Sequence, residues 1–150
     1  MKILKSGIRN VTAGDKVTVC EPVNLYECTL HDDVFVGPFV EIQRHCVVGA
    51  GTRIQSHSFL CEKVTTGKNC FIGHNVTFAN DLFRSGKLNP DPESWISIHL
   101  GDNVIVGSGS TILTEFICSG AVIGAGSVVT KDILKPGIYA GNPARLLREI

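Results

Sequence analysis

Residues 34–54 read Val34-Phe35-Val36-Gly37-Pro38-Phe39-Val40-Glu41-Ile42-Gln43-Arg44-His45-Cys46-Val47-Val48-Gly49-Ala50-Gly51-Thr52-Arg53-Ile54. Aliphatic residues return at every sixth position, Val36, Ile42, Val48 and Ile54, and a second small or apolar residue falls four places after each. The beat runs outward to Leu30 on one side and to Leu60, Ile72 and Phe78 on the other, with Thr66 its exception; the second series is Val34, Val40, Cys46, Thr52, Ser58, Val64, Cys70 and Val76. Six matches neither a helical period nor the plain alternation of a flat strand, so each hexapeptide is a short strand plus a corner. Such a strand buries its inward residues only if successive coils stack and share backbone hydrogen bonds, which gives a parallel β-helix. Three hexapeptides per coil make every eighteenth residue a neighbour on one face, about 4.8 Å apart. Val11, Val17 and Val23 keep the period, one extra residue then intervenes before Leu30, and Ile112 to Ile117 is one residue short; a bulge is expected at each.

The composition agrees with this reading. Val and Ile number 30 against 11 Leu, and β-branched residues favour strands. The length of 150 residues suits one domain, residues 1–150. Fourteen Lys plus Arg balance fourteen Asp plus Glu, so no global field draws the chain to nucleic acid or an anionic membrane. No apolar run approaches the roughly 20 residues of a membrane span, and the expectation is a soluble, cytoplasmic protein. The six cysteines form no C-x-x-C pair, and no metal site is expected; they read as small buried apolar residues.

The repeat breaks after Asn80. Residues 81–97 carry Pro90, Pro92 and several turn formers before the period resumes at Leu100, so an extruded loop is expected, of the kind that supplies side chains to a site. At the end, Asn142 as a cap, Pro143 at a first helical position and the stripe Leu146, Leu147 and Ile150 predict a short helix closing the coil.

Ile54 to Glu62, Phe71 to Asp81, Val122 to Asp132 and the tail Ala140-Gly141-Asn142-Pro143-Ala144-Arg145 together resemble the left-handed β-helix, hexapeptide-repeat acyltransferases. The first two segments resemble the branch that acetylates the 3-amino group of nucleotide-linked amino-deoxy sugars. The left hand is implied by the resemblance alone, since ordinary parallel crossovers are right-handed. The resemblance further implies acetyl-CoA as co-substrate, a dTDP- or UDP-linked amino sugar as acceptor in surface-polysaccharide biosynthesis, and a homotrimer with the cofactor in the grooves between coils.

Amide formation from a thioester needs an uncharged amine at the carbonyl, a stabilised oxyanion and a proton acceptor. The resemblance makes Asn80 the residue that holds the amine; as an amide it orients and does not act as a base. His57 is the candidate base, since an imidazole is the usual general base in similar acetyltransferases. Spacing puts Glu62 one coil below Asn80, and Glu62, His74, Asp81, Arg84 and His31 complete the expected acceptor-binding set. Gly107, Ser108, Gly109, Ala125 and Gly126 would let a pantetheine arm approach the backbone, and Lys131 and Arg145 would pair with the phosphates of coenzyme A. Two alternatives stand beside this reading: the same fold acylating a 4-amino sugar or a sugar hydroxyl, and a non-catalytic or zinc anhydrase-like β-helix trimer.

Overall fold

The computed structural model describes residues 1–150 as a three-sided left-handed parallel β-helix of about seven coils. Face A stacks seven strands, among them Asn24–Tyr26, Glu41–Ile42, Phe59–Leu60, Thr77–Phe78 and Thr111–Ile112. Face B stacks six, including Val47–Val48, Val64–Thr66 and Ile98–Leu100, and face C stacks eight, including Phe35–Val36, Arg53–Ile54, Phe71–Ile72 and Ile105–Val106. The sixfold series supplies the inward residue of each strand: Leu25, Ile42, Leu60, Phe78 and Ile112 are all fully buried beneath face A. Thr66 interrupts the aliphatic series without leaving the core, because its hydroxyl accepts the Gly49 N–H at 3.1 Å. Ser58 is likewise paired, donating to the Gly73 carbonyl at 2.8 Å and accepting the Val76 N–H at 3.1 Å.

Each side of the prism turns through one residue with positive φ, and most of these are types that tolerate it, such as Asn69, Asn75, Asn103 and Gly109. Phe39 at 62° and His57 at 63° occupy the same corner position despite their bulk.

The register corrects two expectations. Val11, Val17 and Val23 belong to the second inward series, since Thr12, Thr18 and Asn24 donate to the carbonyls of Cys28, Val34 and Val40. The inward partners of Leu30 are therefore Ala13 and Val48, and the step from Leu25 to Leu30 is a shortened corner, not an inserted residue. Eighteen-residue spacing holds in the middle coils, as in Glu41 opposite Phe59 and Phe59 opposite Thr77. The coil carrying the loop pairs Thr77 with Thr111, and the missing residue before Ile117 brings Leu100 opposite it.

The C-terminal helix does not form. Ile138–Gly141 adds to face C beside Val122–Ile123, and Ala144–Arg148 folds back antiparallel to it. The open strand edge at the end of the coil takes up the backbone groups that a helix would have paired internally, while Leu146 and Leu147 remain largely exposed.

Candidate active site

Arg44, Glu62 and Asn80 follow one another up the edge between faces A and B, with Tyr26 lining the cleft at its foot. The Asn80 amide nitrogen donates to the Glu62 main-chain carbonyl at 3.1 Å. That bond assigns the amide's orientation, because only the NH2 end can donate to a carbonyl. The Asn80 side-chain oxygen has no protein partner and is not buried. Glu62 thus orients Asn80 through its backbone; its carboxylate turns instead to Arg44, whose Nε donates to Oε1 at 3.1 Å in the chain's one ion pair.

The loop leaves the prism at this point. Its neck is closed by the Ile96 N–H donating to the Asn80 carbonyl at 3.1 Å. Asp81 folds the loop on itself: its two carboxylate oxygens accept the N–H groups of Phe83 at 3.0 Å and Asn89 at 2.9 Å. Lys63, from the coil below, donates to the Pro92 carbonyl at 2.7 Å. A cleft of about 180 Å³ results, with Asn80, Asp81, Arg84 and Ser94 on its wall.

The other edge of face A, where face C meets it, carries the histidines. His57 stacks on Phe39 with ring centroids 4.8 Å apart and planes at 28°. His74 stands one coil up, its Nδ1 2.9 Å from the Ser56 hydroxyl and its main-chain N–H donating to the Ser108 hydroxyl at 3.0 Å. Higher on the same edge lie Ser108, Gly109, Ala125 and Gly126. Gly107 is glycine for stacking, since a Cβ there would sit 2.4 Å from the Ala125 nitrogen. Gly109 and Gly126 differ: both have positive φ, 72° and 69°, and a Cβ on either would meet nothing closer than 4.0 Å, so the backbone is open to an extended ligand.

The structure therefore divides the expected residues among several places. Glu62, Asn80, Asp81 and Arg84 share one edge of face A; His57, His74, Ser108, Gly109, Ala125 and Gly126 share the other. Four residues of chain lie between His57 and Glu62, whose Cα atoms are at most about 18 Å apart. Lys131 and Arg145 come together in a separate cleft of about 240 Å³ at the C-terminal end, beside Asp132 and Tyr139. His31 lies on the third edge, between faces B and C, in a cleft with Asp32, Lys68 and Asp102. Arg44 was missed in the sequence, although counting back two coils from Asn80 finds it; Phe39, one coil before His57, follows from the same count.

No group of three or more His, Cys, Asp or Glu is arranged to hold a metal ion, and no helix is long and apolar enough to cross a membrane. Burial pushes the Cys28 thiol up to about 11 and those of Cys46 and Cys61 to about 12, which keeps them protonated and leaves none as a nucleophile at neutral pH.

A stacked three-sided coil with an extruded loop is the architecture of the hexapeptide-repeat transferases, and the chain carries that repeat. Residues 27–61 match the bacterial transferase hexapeptide (six repeats) and residues 93–114 the hexapeptide repeat of succinyl-transferase. Galactoside O-acetyltransferase of Escherichia coli is 39% identical over 96 residues, covering 58% of this chain and 44% of that one. The bifunctional protein GlmU of Thermotoga petrophila is 30% identical over 151 residues, covering 99% of this chain and 32% of that one. An acetyltransferase of Vibrio cholerae, solved with acetyl coenzyme A, superposes with a TM-score of 0.62 at 21% identity over 91% of this chain and 69% of that one, a likeness of fold. The chain spans less than half the length of the curated relatives it matches.

Proposed function

We propose that the chain is an acetyl-CoA-dependent N-acetyltransferase acting on the 3-amino group of a dTDP- or UDP-linked amino-deoxy sugar, working in the cytoplasm as a homotrimer. The observation that carries this reading is the Asn80 amide, held by its nitrogen with its oxygen free at the base of the loop cleft. An oxygen in that state accepts from an amine and aims the nitrogen lone pair.

The trimer completes the site. With Asn80 and His57 on opposite edges of one face, packing three prisms around an axis sets the histidine edge of one subunit against the asparagine edge of the next. The acceptor enters beside Asn80, Asp81 and Arg84. The pantetheine arm runs up the edge past Ser108, Gly109, Ala125 and Gly126, and the cofactor phosphates meet Lys131 and Arg145. The neutral amine attacks the thioester carbon, the C–S bond breaks, and the proton lost by nitrogen passes to the departing thiolate by way of His57.

The relative that acetylates galactosides favours a second reading, a sugar hydroxyl as acceptor. Purified protein mixed with acetyl-CoA and dTDP- or UDP-linked 3-amino sugars should release free thiol, with the product's mass spectrum placing the acetyl group on nitrogen. Silence with every such sugar would remove the acceptor assignment, and an O-acetyl product would select the second reading.

A further inference from the structure

The chain carries no net charge, yet cations gather at both ends of the prism. The C-terminal pair has been described. At the opposite end Lys5, Arg9 and Arg44 line a cleft of about 410 Å³ together with Asn24, Tyr26 and Glu27. This cleft continues the edge that bears Asn80. Arg44 stands two coils below Asn80, about 10 Å at the strand spacing of a β-sheet, and Tyr26 one coil further.

Both guanidinium groups in the cleft are already oriented. The Glu62 carboxylate holds Arg44 by Nε alone, so its two terminal nitrogens carry no protein partner, and the side chain is 48% exposed. Arg9 lies over the Tyr26 ring with Cζ 5.1 Å from the centroid, and its Nη1 donates to the Lys5 carbonyl at 2.7 Å. Asn24 donates through Nδ2 to Glu41 at 3.0 Å, while its Oδ1 is the one buried side-chain oxygen or nitrogen in the chain without a partner. The site thus offers two guanidinium groups with free N–H donors. Glu27 on the same wall opposes a bare anion, so the ligand that fits carries phosphate together with hydroxyl or N–H groups.

We propose that this cleft binds the diphosphate of the nucleotide sugar, with Arg44 and Arg9 as its main contacts. The inference rests on the nucleotide-sugar reading above. One hexose ring and one phosphate span the two coils from Asn80 to Arg44, which sets the amine at Asn80 when the diphosphate sits on the guanidinium groups. The two substrates then approach the middle coils from opposite ends, each with its own phosphate site.

The test is isothermal titration of the full chain with dTDP and with UDP, each without sugar, beside acetyl-CoA. Arg44→Gln should weaken nucleoside diphosphate binding at least tenfold and Arg9→Gln severalfold, with acetyl-CoA affinity unchanged in both; Lys68→Gln, on another edge, should bind as the parent does. Arg9 makes no ion pair, so its variant reports on the cleft even if loss of the Glu62 partner disturbs Arg44→Gln, and melting curves show which is the case. Unaltered binding in both arginine variants, loss on Arg84→Gln in their place, or no binding of either nucleotide by the parent chain would each overturn the inference. The acetylation assay separates this outcome from failure of the underlying reading: a 3-amino nucleotide sugar acetylated without any role for Arg44 sinks the cleft alone, whereas arginine-dependent binding of dTDP or UDP without acetylation keeps the cleft and sinks the acceptor.

Discussion

Asn80→Ala removes the oxygen that faces the acceptor, and Asn80→Asp removes the NH2 that donates to Glu62 and sets a carboxylate against that carbonyl. Both should lower turnover by roughly two orders of magnitude or more, because orientation of the attacking group is the role proposed for the residue. Circular dichroism should stay unchanged, since the surrounding coil is held by backbone bonds; parent-like rates in steady-state assays would move the chemistry to another residue. Phe39 has a related part on the opposite edge. Its ring is 57% exposed and sits at a backbone angle few bulky residues adopt, and its contact is the His57 imidazole. Phe39→Leu should free that ring, lowering kcat while KM for acetyl-CoA holds; a kcat equal to the parent's would leave the stacking without a role. The sixfold count finds Phe39, Arg44 and His57 as corner residues, but cannot say which edges face one another. That depends on how prisms pack, which no single strand encodes.

The loop depends on Asp81 more than on its prolines. Asp81→Ala leaves two loop N–H groups without their acceptor, so trypsin should cut at Arg84 and Lys87 roughly tenfold faster while the coil melts as before. Equal cleavage rates would show the loop to be held by the Lys63 contact to Pro92 instead. That a loop leaves at residue 81 was legible because a run without the sixfold beat cannot stack. The C-terminal segment was misread for a different reason. Leu146, Leu147 and Ile150 have helical spacing, but the choice between helix and strand was made by the unpaired edge of Val122–Ile123, a feature of the finished coil. The shortened corner between Leu25 and Leu30 escaped similarly, because two inward series with the same period can be joined in either of two phases.

For the whole molecule, the stacked thiols of Cys28, Cys46 and Cys61 set an alkaline limit. Their folded pKa values, about 11 to 12, lie above the ordinary 9.0, so the neutral thiol favours the folded state. The stabilisation is complete below about pH 9 and disappears as pH rises through those folded values. The melting temperature should fall steadily from pH 9 to pH 11, and less so in Cys46→Ala; a flat curve would mean the thiols ionise without cost.

The central claim is that the working site lies between subunits, with His57 supplied by one chain and Asn80 by its neighbour. Mixed trimers of His57→Asn and Asn80→Ala, each inactive alone, measure this most directly. Random assembly at equal ratio leaves both residues intact at about a quarter of the interfaces, so about that fraction of parent activity should return. A mixture no more active than its components, with mixed trimers seen by native mass spectrometry, would contradict the account.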